Sequence, residues 1–459
     1  MRFYVCRSRI FRNLSSVICA SAVAGVTLCL SLYALTSVPG AAHAAPLSNL
    51  VQAEKLSPKL TELVGTLLGS AESIRGLPAK GIVRARSSSQ QELVTYMDTQ
   101  LDDPVAKRQL QLNQKILKVV GAVKADLDIL TILRSFMVEQ VTGFYDWKQK
   151  ILYMADWIPE NLQSFTLLHE LTHALQDQHF GLERLLDATD GVSEPYAAAQ
   201  ALMEGDATLT TIFNSAGGAV DGAYIDFAVK TIMSGDSTMP GQDQDNVPSV
   251  ISESLMFPYT DGLAFVVAAF RAGGGNWSVV NRLYSQLPLS TEQIIHPDKH
   301  LSEHPDFPKE VRVRGIADMV GSRTFAGTDI MGEGGLRVIL RDVMSRVTAD
   351  KAAAGWDGDR YFVWHDEAGL SSAVLASVWD SPEDARQASE AILKLKNPPQ
   401  AVSHRGDRMV AVWAGDDRKA ALALAGKVMR NIESVEVHTW EEWLKEAKIT
   451  VSMSARQLR

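Results

Sequence analysis

The chain has 459 residues, more than one ordinary domain needs, and its 46% hydrophobic and 22% charged residues describe a globular protein with a substantial core. It carries 45 basic against 54 acidic side chains, a net charge of −9, which argues against nucleic acid or an anionic membrane surface as a partner. All three cysteines, Cys6, Cys19 and Cys29, fall near the start, so disulfides are excluded as staples of the remainder.

Residues 1–44 stand apart. Arg2, Arg7, Arg9 and Arg12 lead into an apolar run from about Leu14 to Val38, and Pro39, Gly40 and the small residues Ala42 and Ala44 around His43 follow it. The pattern is that of a secretory signal peptide cut after Ala44. An uncleaved anchor is the alternative that the length of the run allows. With the cut, the chain is expected to be exported, periplasmic or extracellular, with no stable membrane anchor. Loss of four of the 45 basic residues against 54 acids leaves a net charge of −13.

Residues 45–140 are expected to form a helical N-terminal region, because "LVQAEKLSPKLTELVGTLL" and "LQLNQKILKVVGAVKADLDILTILRSFM" space apolar residues by three and four. One break, "GIVRARSSSQ", reads as a strand followed by a helix cap. Residues 141–345 form the expected core. "VTGFYDWKQKILYMADW" is a β-hairpin, two apolar runs around a polar turn. "NLQSFTLLHELTHALQDQ" is a helix with Phe165, Leu168, Leu171 and Leu175 on one face.

Another helix begins near Ser193, whose side chain is placed to cap it, with Pro195 just inside, and runs through "YAAAQALMEGDATLTTIF". A further one follows "GLAFVVAAFRA" and stops at "GGGNW". "EVRVRGIA" is a possible strand, and Thr328 to Asp350 reads as helical. Residues 355–459 alternate short strands with helices ("RYFVWHD", "SAVLASVWD", "SPEDARQASEAILKL", "RMVAVWAG", "DRKAALALAGKVMRNI"), a small α+β C-terminal domain. The fold class expected is therefore α+β: a mainly helical core with a small sheet, then this domain. There is no internal repeat, and "AGGGNW" lacks the lysine and strand context of a phosphate loop.

The chemistry concentrates in "HELTHALQDQHF", residues 169–180. On a helix His169 and His173 differ by only about 40° and can face one ion, with Glu170 beside them to hold a water. This is the HExxH arrangement, in which the imidazoles bind zinc and the glutamate acts as general base. A catalytic zinc takes a third protein ligand and keeps one open position. Two residues compete for that role. His179 has the offset of the HExxHxxGxxH metzincin pattern, but Gln176 stands where that pattern has glycine, and on a continuing helix His179 points away. Glu204, in "LMEGDATL", offers a carboxylate from a second helix crossing the first.

His169, Glu170 and His173 followed by "EGDA" resemble the gluzincins, the thermolysin-like and leukotriene-hydrolase-like zinc peptidases, whose third ligand is a glutamate on the next helix. "MEGDA" is similar to the "NEGFA" of the aminopeptidase branch, which implies the ligand role for Glu204. The spacing of 30 residues after His173 is longer than in that branch. "FPYTDGLAFVVAAF" resembles the "PYEKG" of the same branch, which implies that Tyr259 donates a hydrogen bond to the developing oxyanion, with Pro258 and Gly262 shaping the turn into the helix.

The order "GFYD", "HELTHALQDQHF", "EGDA", "PYTDG", "STEQIIHP" also looks like that of a group of poorly characterised bacterial exported HExxH proteins. The resemblance implies a zincin-like fold, Zn2+ held by His169, His173 and Glu204, and a peptide or protein substrate aligned along the strand Ile151 to Met154. Nothing between Gln140 and Leu168 matches the "GxMEN" element of the aminopeptidases, so endopeptidase action is expected. The alternative is a non-catalytic exported binding protein that keeps the zincin fold.

Other polar residues are weaker candidates. Asp177, Asp206 and Thr208 are expected to support the ligands from outside. His296, His300 and His304 gather in "TEQIIHPDKHLSEHPDF", where Pro297 interrupts any helix that would stack them into a second metal site. His365, His404 and His438 are scattered through the C-terminal domain.

Overall fold

A computed structural model describes residues 50–102, 104–140, 143–158, 160–189, 192–218, 221–234, 247–320, 323–367, 369–414, 417–443 and 445–446. The expected leader, residues 1–44 with all three cysteines, lies outside the described residues. Among these, no helix is long and apolar enough to cross a membrane.

The N-terminal region contains strand β1 (Val51–Glu54), helix α1 (Pro58–Arg75), β2 (Val83–Ser88), α2 (Gln90–Leu101), α3 (Pro104–Val119) and α4 (Ile129–Gln140). Helix α1 starts where Ser57 accepts from Leu60 N and Pro58 supplies its fixed φ, and it ends at Gly76, φ 63°. "VQAE" was expected to be helical, but it forms β1, paired in parallel with Val83–Arg86. A four-residue strand inside a helix-like window takes its conformation from the neighbouring β2, not from its own periodicity.

Strands β3 (Gly143–Asp146) and β4 (Ile151–Ala155) form the expected hairpin, in a sheet of order β1-β2-β4-β3. The Asp146 side chain closes the turn by accepting from Lys148 N and Gln149 N. One expectation is corrected here. Ile151 to Met154 is an interior strand, bonded to β2 on one side and β3 on the other, and cannot pair with a substrate; the outer strands are β1 and β3.

Helix α5 (Glu160–Phe180) carries the HELTH sequence and packs against this sheet, α1 and α7 (Ser193–Ser215), which follows α6 (Leu182–Thr189). It is buried almost all round from Thr166 to Asp177, so it is a core helix. Helix α7 has Val192 as its N-cap with no side-chain bond; the Ser193 hydroxyl instead bonds Asp329, correcting the expected cap.

After α8 (Gly222–Ser234) comes α9 (Ser249–Ala272), which runs straight through Pro258. Pro258 and Gly262 therefore lie inside a helix and shape no turn into it. Gly262 serves another end: a Cβ there would stand 2.3 Å from Ala201 O, and one on Gly205 would stand 2.2 Å from Gly262 O. The two glycines let α7 and α9 cross with their backbones touching.

Helices α10 (Ser278–Leu283), α11 (Thr291–Ile295) and α12 (Pro297–Leu301) lead through β5 (Glu310–Val313) and α13 (Ile316–Met319) to β6 (Thr324–Asp329). Next come α14 (Gly332–Arg341) and α15 (Arg346–Ala353), so the stretch expected to be helical from Thr328 starts with a strand end. Then follow β7 (Trp356–His365), β8 (Ser371–Trp379), α16 (Pro382–Ile392), β9 (Ala401–Arg405), β10 (Arg408–Trp413), α17 (Arg418–Asn431) and β11 (Ile432–Val435).

The second sheet is antiparallel, order β6-β7-β8-β10-β9, and begins at Thr324, ahead of the boundary expected at 355. Helix α3, from the N-terminal region, shares a core with this sheet: Leu112 and Ile116 pack with Trp356 and Trp379. The fold is thus a mixed α+β one, in which helices dominate beside a four-stranded sheet, a five-stranded sheet and the antiparallel pair β5 with β11.

Candidate metal centre

Helices α5 and α7 bring three expected residues together. His169 Nε2 lies 2.9 Å from Glu204 Oε2, His173 Nε2 lies 3.3 Å from the same oxygen, and the two imidazole nitrogens are 3.1 Å apart. Ligand atoms each about 2.1 Å from one tetrahedral ion stand about 3.4 Å apart, so this triangle is slightly smaller than, but close to, the size such an ion requires. The rings meet edge to face, at 82°, which lets both nitrogens point at one place from successive turns. Among the described residues this is the one group of three His, Cys, Asp or Glu side chains whose ligand atoms meet so closely.

The surroundings prepare these atoms. Gln176 Oε1, an acceptor only, lies 2.8 Å from His173 Nδ1, so a ring hydrogen sits there and in the neutral imidazole Nε2 is the nitrogen whose lone pair faces the centre. Gln176 Nε2 is held in turn by Met203 O, one residue before Glu204. Gln176 thus ties α5 to α7. It was read from sequence only as the residue that replaces the metzincin glycine.

Burial pulls His173 down, but the charge and hydrogen bond of Glu204 outweigh it and raise the imidazole to about 9. Burial also lowers His169. Glu204 is pushed up by burial, yet the two imidazoles more than reverse this and hold it well below the usual carboxylate range. The three atoms together favour a positive charge between them.

Glu170 behaves differently. It is buried beside the triangle, and burial, helped by Glu204, raises its carboxyl to about 8, although Tyr145 N donates to its Oε2 at 2.8 Å. Two carboxylates of one site are therefore driven apart, Glu204 toward its ionised form and Glu170 toward its protonated one. Tyr259 is fully buried on α9, its ring 6.1 Å from that of His169.

Several candidates lie elsewhere. His179 Nε2 bonds Pro78 O at the end of α5, away from the triangle, because the helix continues unbroken through Gln176. Asp206, two residues past Glu204, faces the other side of α7, where it pairs with Arg75 at 2.6 Å and accepts from Tyr284 OH. Thr208 Oγ1 is buried with no hydrogen-bond partner among the described residues. Asp177 accepts from Tyr145 OH, Lys150 Nζ and Leu182 N and does not reach His173. His296 bonds Glu333, His300 bonds Gln286 O, and His304 is exposed, so the three do not converge.

Comparison with known proteins adds one finding: a family described as a domain of unknown function, DUF8575, matches residues 322–441. That span starts just before β6 and covers the second sheet, leaving His169, His173 and Glu204 outside it. No curated protein and no solved structure matches the chain.

Proposed function

We propose that the chain is an exported zinc-dependent peptidase of gluzincin type, with His169, His173 and Glu204 as ligands and Glu170 as general base. The observation that carries this reading is the convergence of Glu204 Oε2 on the two imidazole nitrogens, 2.9 and 3.3 Å away, with the Glu170 carboxyl beside them. Two imidazoles and a carboxylate are the donor set of a three-ligand catalytic zinc. When bound, zinc supplies Lewis acidity, polarising a peptide carbonyl and acidifying a water.

The chain's own residues do the rest. Glu170 takes the proton as water attacks the carbonyl carbon and returns it to the leaving nitrogen. Gln176 keeps His173 in the tautomer that can bind. Tyr259, beside His169, is the donor toward the developing oxyanion, worth about 3–4 kcal/mol if it acts as such groups do. Peptide or protein is the substrate class.

Near-complete burial of the centre favours a second reading, a non-catalytic exported binding protein that retains the metal as part of its fold. His173, its most open member, is 8% exposed. Glu170→Gln separates the two. The peptidase reading expects turnover of a labelled casein to vanish while zinc stays bound; turnover equal to wild type would overturn it.

A further inference from the structure

Outer strand β3 lies on α5, and one of its residues touches that helix at two levels. Tyr145 N donates to Glu170 Oε2 at 2.8 Å, and the Tyr145 hydroxyl donates to Asp177 Oδ2 at 2.9 Å. Glu170 and Asp177 are seven residues apart, about two full turns, so they stand on one face of the helix. Burial, together with the negative charge of Asp177, pushes the Tyr145 phenol far up, so the hydroxyl remains a donor.

The rest of the hairpin is fixed to the same points. Lys150 adopts a left-handed backbone, φ 58°, at the end of the turn, and its Nζ reaches Asp177 Oδ2 at 2.6 Å. Asp146 closes the turn and accepts from Tyr96 OH, which ties the hairpin to α2. The hairpin therefore has little freedom to slide along α5. Among the described residues the hydrogen bond to the Glu170 carboxylate is that of the Tyr145 N–H, so its direction is set from the strand.

We propose that Tyr145 is the positioning residue of the general base: its phenol, anchored on Asp177, fixes the strand so that its N–H holds the Glu170 carboxylate in one orientation beside the ligand triangle. This rests on the peptidase reading and deepens it. It also gives the strand a role distinct from substrate pairing, since the N–H of Tyr145 is spent on the base. Asp177, which a sequence reading places behind His173, acts through Tyr145 on Glu170.

The test uses the zinc-loaded full chain as wild type, Tyr145→Phe, Asp177→Asn and Glu170→Gln. Three quantities are read: deuterium exchange at the residue 145 amide, kcat and KM on fluorescein-labelled casein, and zinc content. Asp177→Asn is expected to speed exchange at that amide and to lower kcat, each by about tenfold or more, with KM and zinc content unchanged. Tyr145→Phe keeps the N–H but removes the phenol's bond to Asp177 altogether, so its effect on exchange and kcat should be at least as large.

Exchange at residue 145 unchanged in Tyr145→Phe overturns the positioning role whatever the turnover does. Loss of zinc in step with kcat also overturns it, because the contact then holds the fold and not the base. Full turnover in Glu170→Gln is a different failure, that of the peptidase reading itself.

Discussion

Gly205 and Gly262 face each other where α7 and α9 cross, and a Cβ on Gly205 would stand 2.2 Å from the carbonyl oxygen of Gly262. Each follows a residue of the centre by one to three positions, Gly205 after Glu204 and Gly262 after Tyr259. The crossing therefore sets how close α7 brings its carboxylate to α5 and how close α9 brings its tyrosine. Backbone cannot yield as a flexible side chain can. Gly205→Ala is expected to cost about 1–3 kcal/mol or more in urea unfolding and to weaken metal binding by displacing Glu204. An alanine variant with wild-type midpoint and metal affinity would show that the helices can part without consequence.

Gln176 should matter to the metal without touching it. Removing its oxygen in Gln176→Ala frees His173 to take the other tautomer, and affinity is expected to fall about 10–100-fold in competition with a chelating dye. His179→Ala, which loses only a bond to Pro78 O, should match wild type. Equal affinity in Gln176→Ala would leave the tautomer argument without support.

Arg75 and Asp206 form an ion pair with both side chains at 0% exposure, and Arg75 also stacks on Trp277 at 4.1 Å. Breaking such a pair strands a buried charge, so Asp206→Ala is expected to lose about 3–5 kcal/mol of stability. Pairing it with Arg75→Met should recover part of that loss. A loss no larger in the single variant than in the double would mean that the charge finds another partner.

Glu194 gives a pH signature separate from the ligand triangle. Burial raises it from 4.5 to about 8, helped by Asp359 and Asp329 and opposed by two bonds from Thr291. The folded chain keeps a proton that the unfolded chain has released, so this group makes stability fall as pH rises from about 4.5 to about 8, then level off. Glu194→Gln preserves the oxygen that Thr291 needs and removes the titration. The stability difference, variant minus wild type, should grow with pH across that window, on the order of 1 kcal/mol per pH unit. A difference that stays constant from pH 4.5 to pH 9 contradicts it.

The centre was legible because its geometry is largely local. His169, Glu170 and His173 lie within five residues of one helix, and helical periodicity alone puts both imidazoles on one side. Glu204 was reached through the likeness of "MEGDA" to a family segment, since no local rule links residues on two helices. The glycines of "MEGDA" and "PYTDG" were visible, but their purpose was not, because a close crossing is a property of two helices at once. Tyr145 escaped for the same reason: its contact with Glu170 is made by a backbone N–H, which carries no mark in sequence. Asp206 was misread since the sequence places it beside Glu204, whereas its partner Arg75 lies on another helix. Strands β1 and β6 were missed where short segments pair with distant strands and their own patterns are too brief to say so.

The central claim is that two imidazoles of α5 and one carboxylate of α7 together bind a divalent ion. Zinc content of the purified chain, measured for wild type, Glu204→Ala and His179→Ala, tests it most directly. The account predicts one equivalent in wild type and in His179→Ala, and little or none in Glu204→Ala. A full equivalent retained by Glu204→Ala, or none bound by wild type after incubation with zinc, would contradict it.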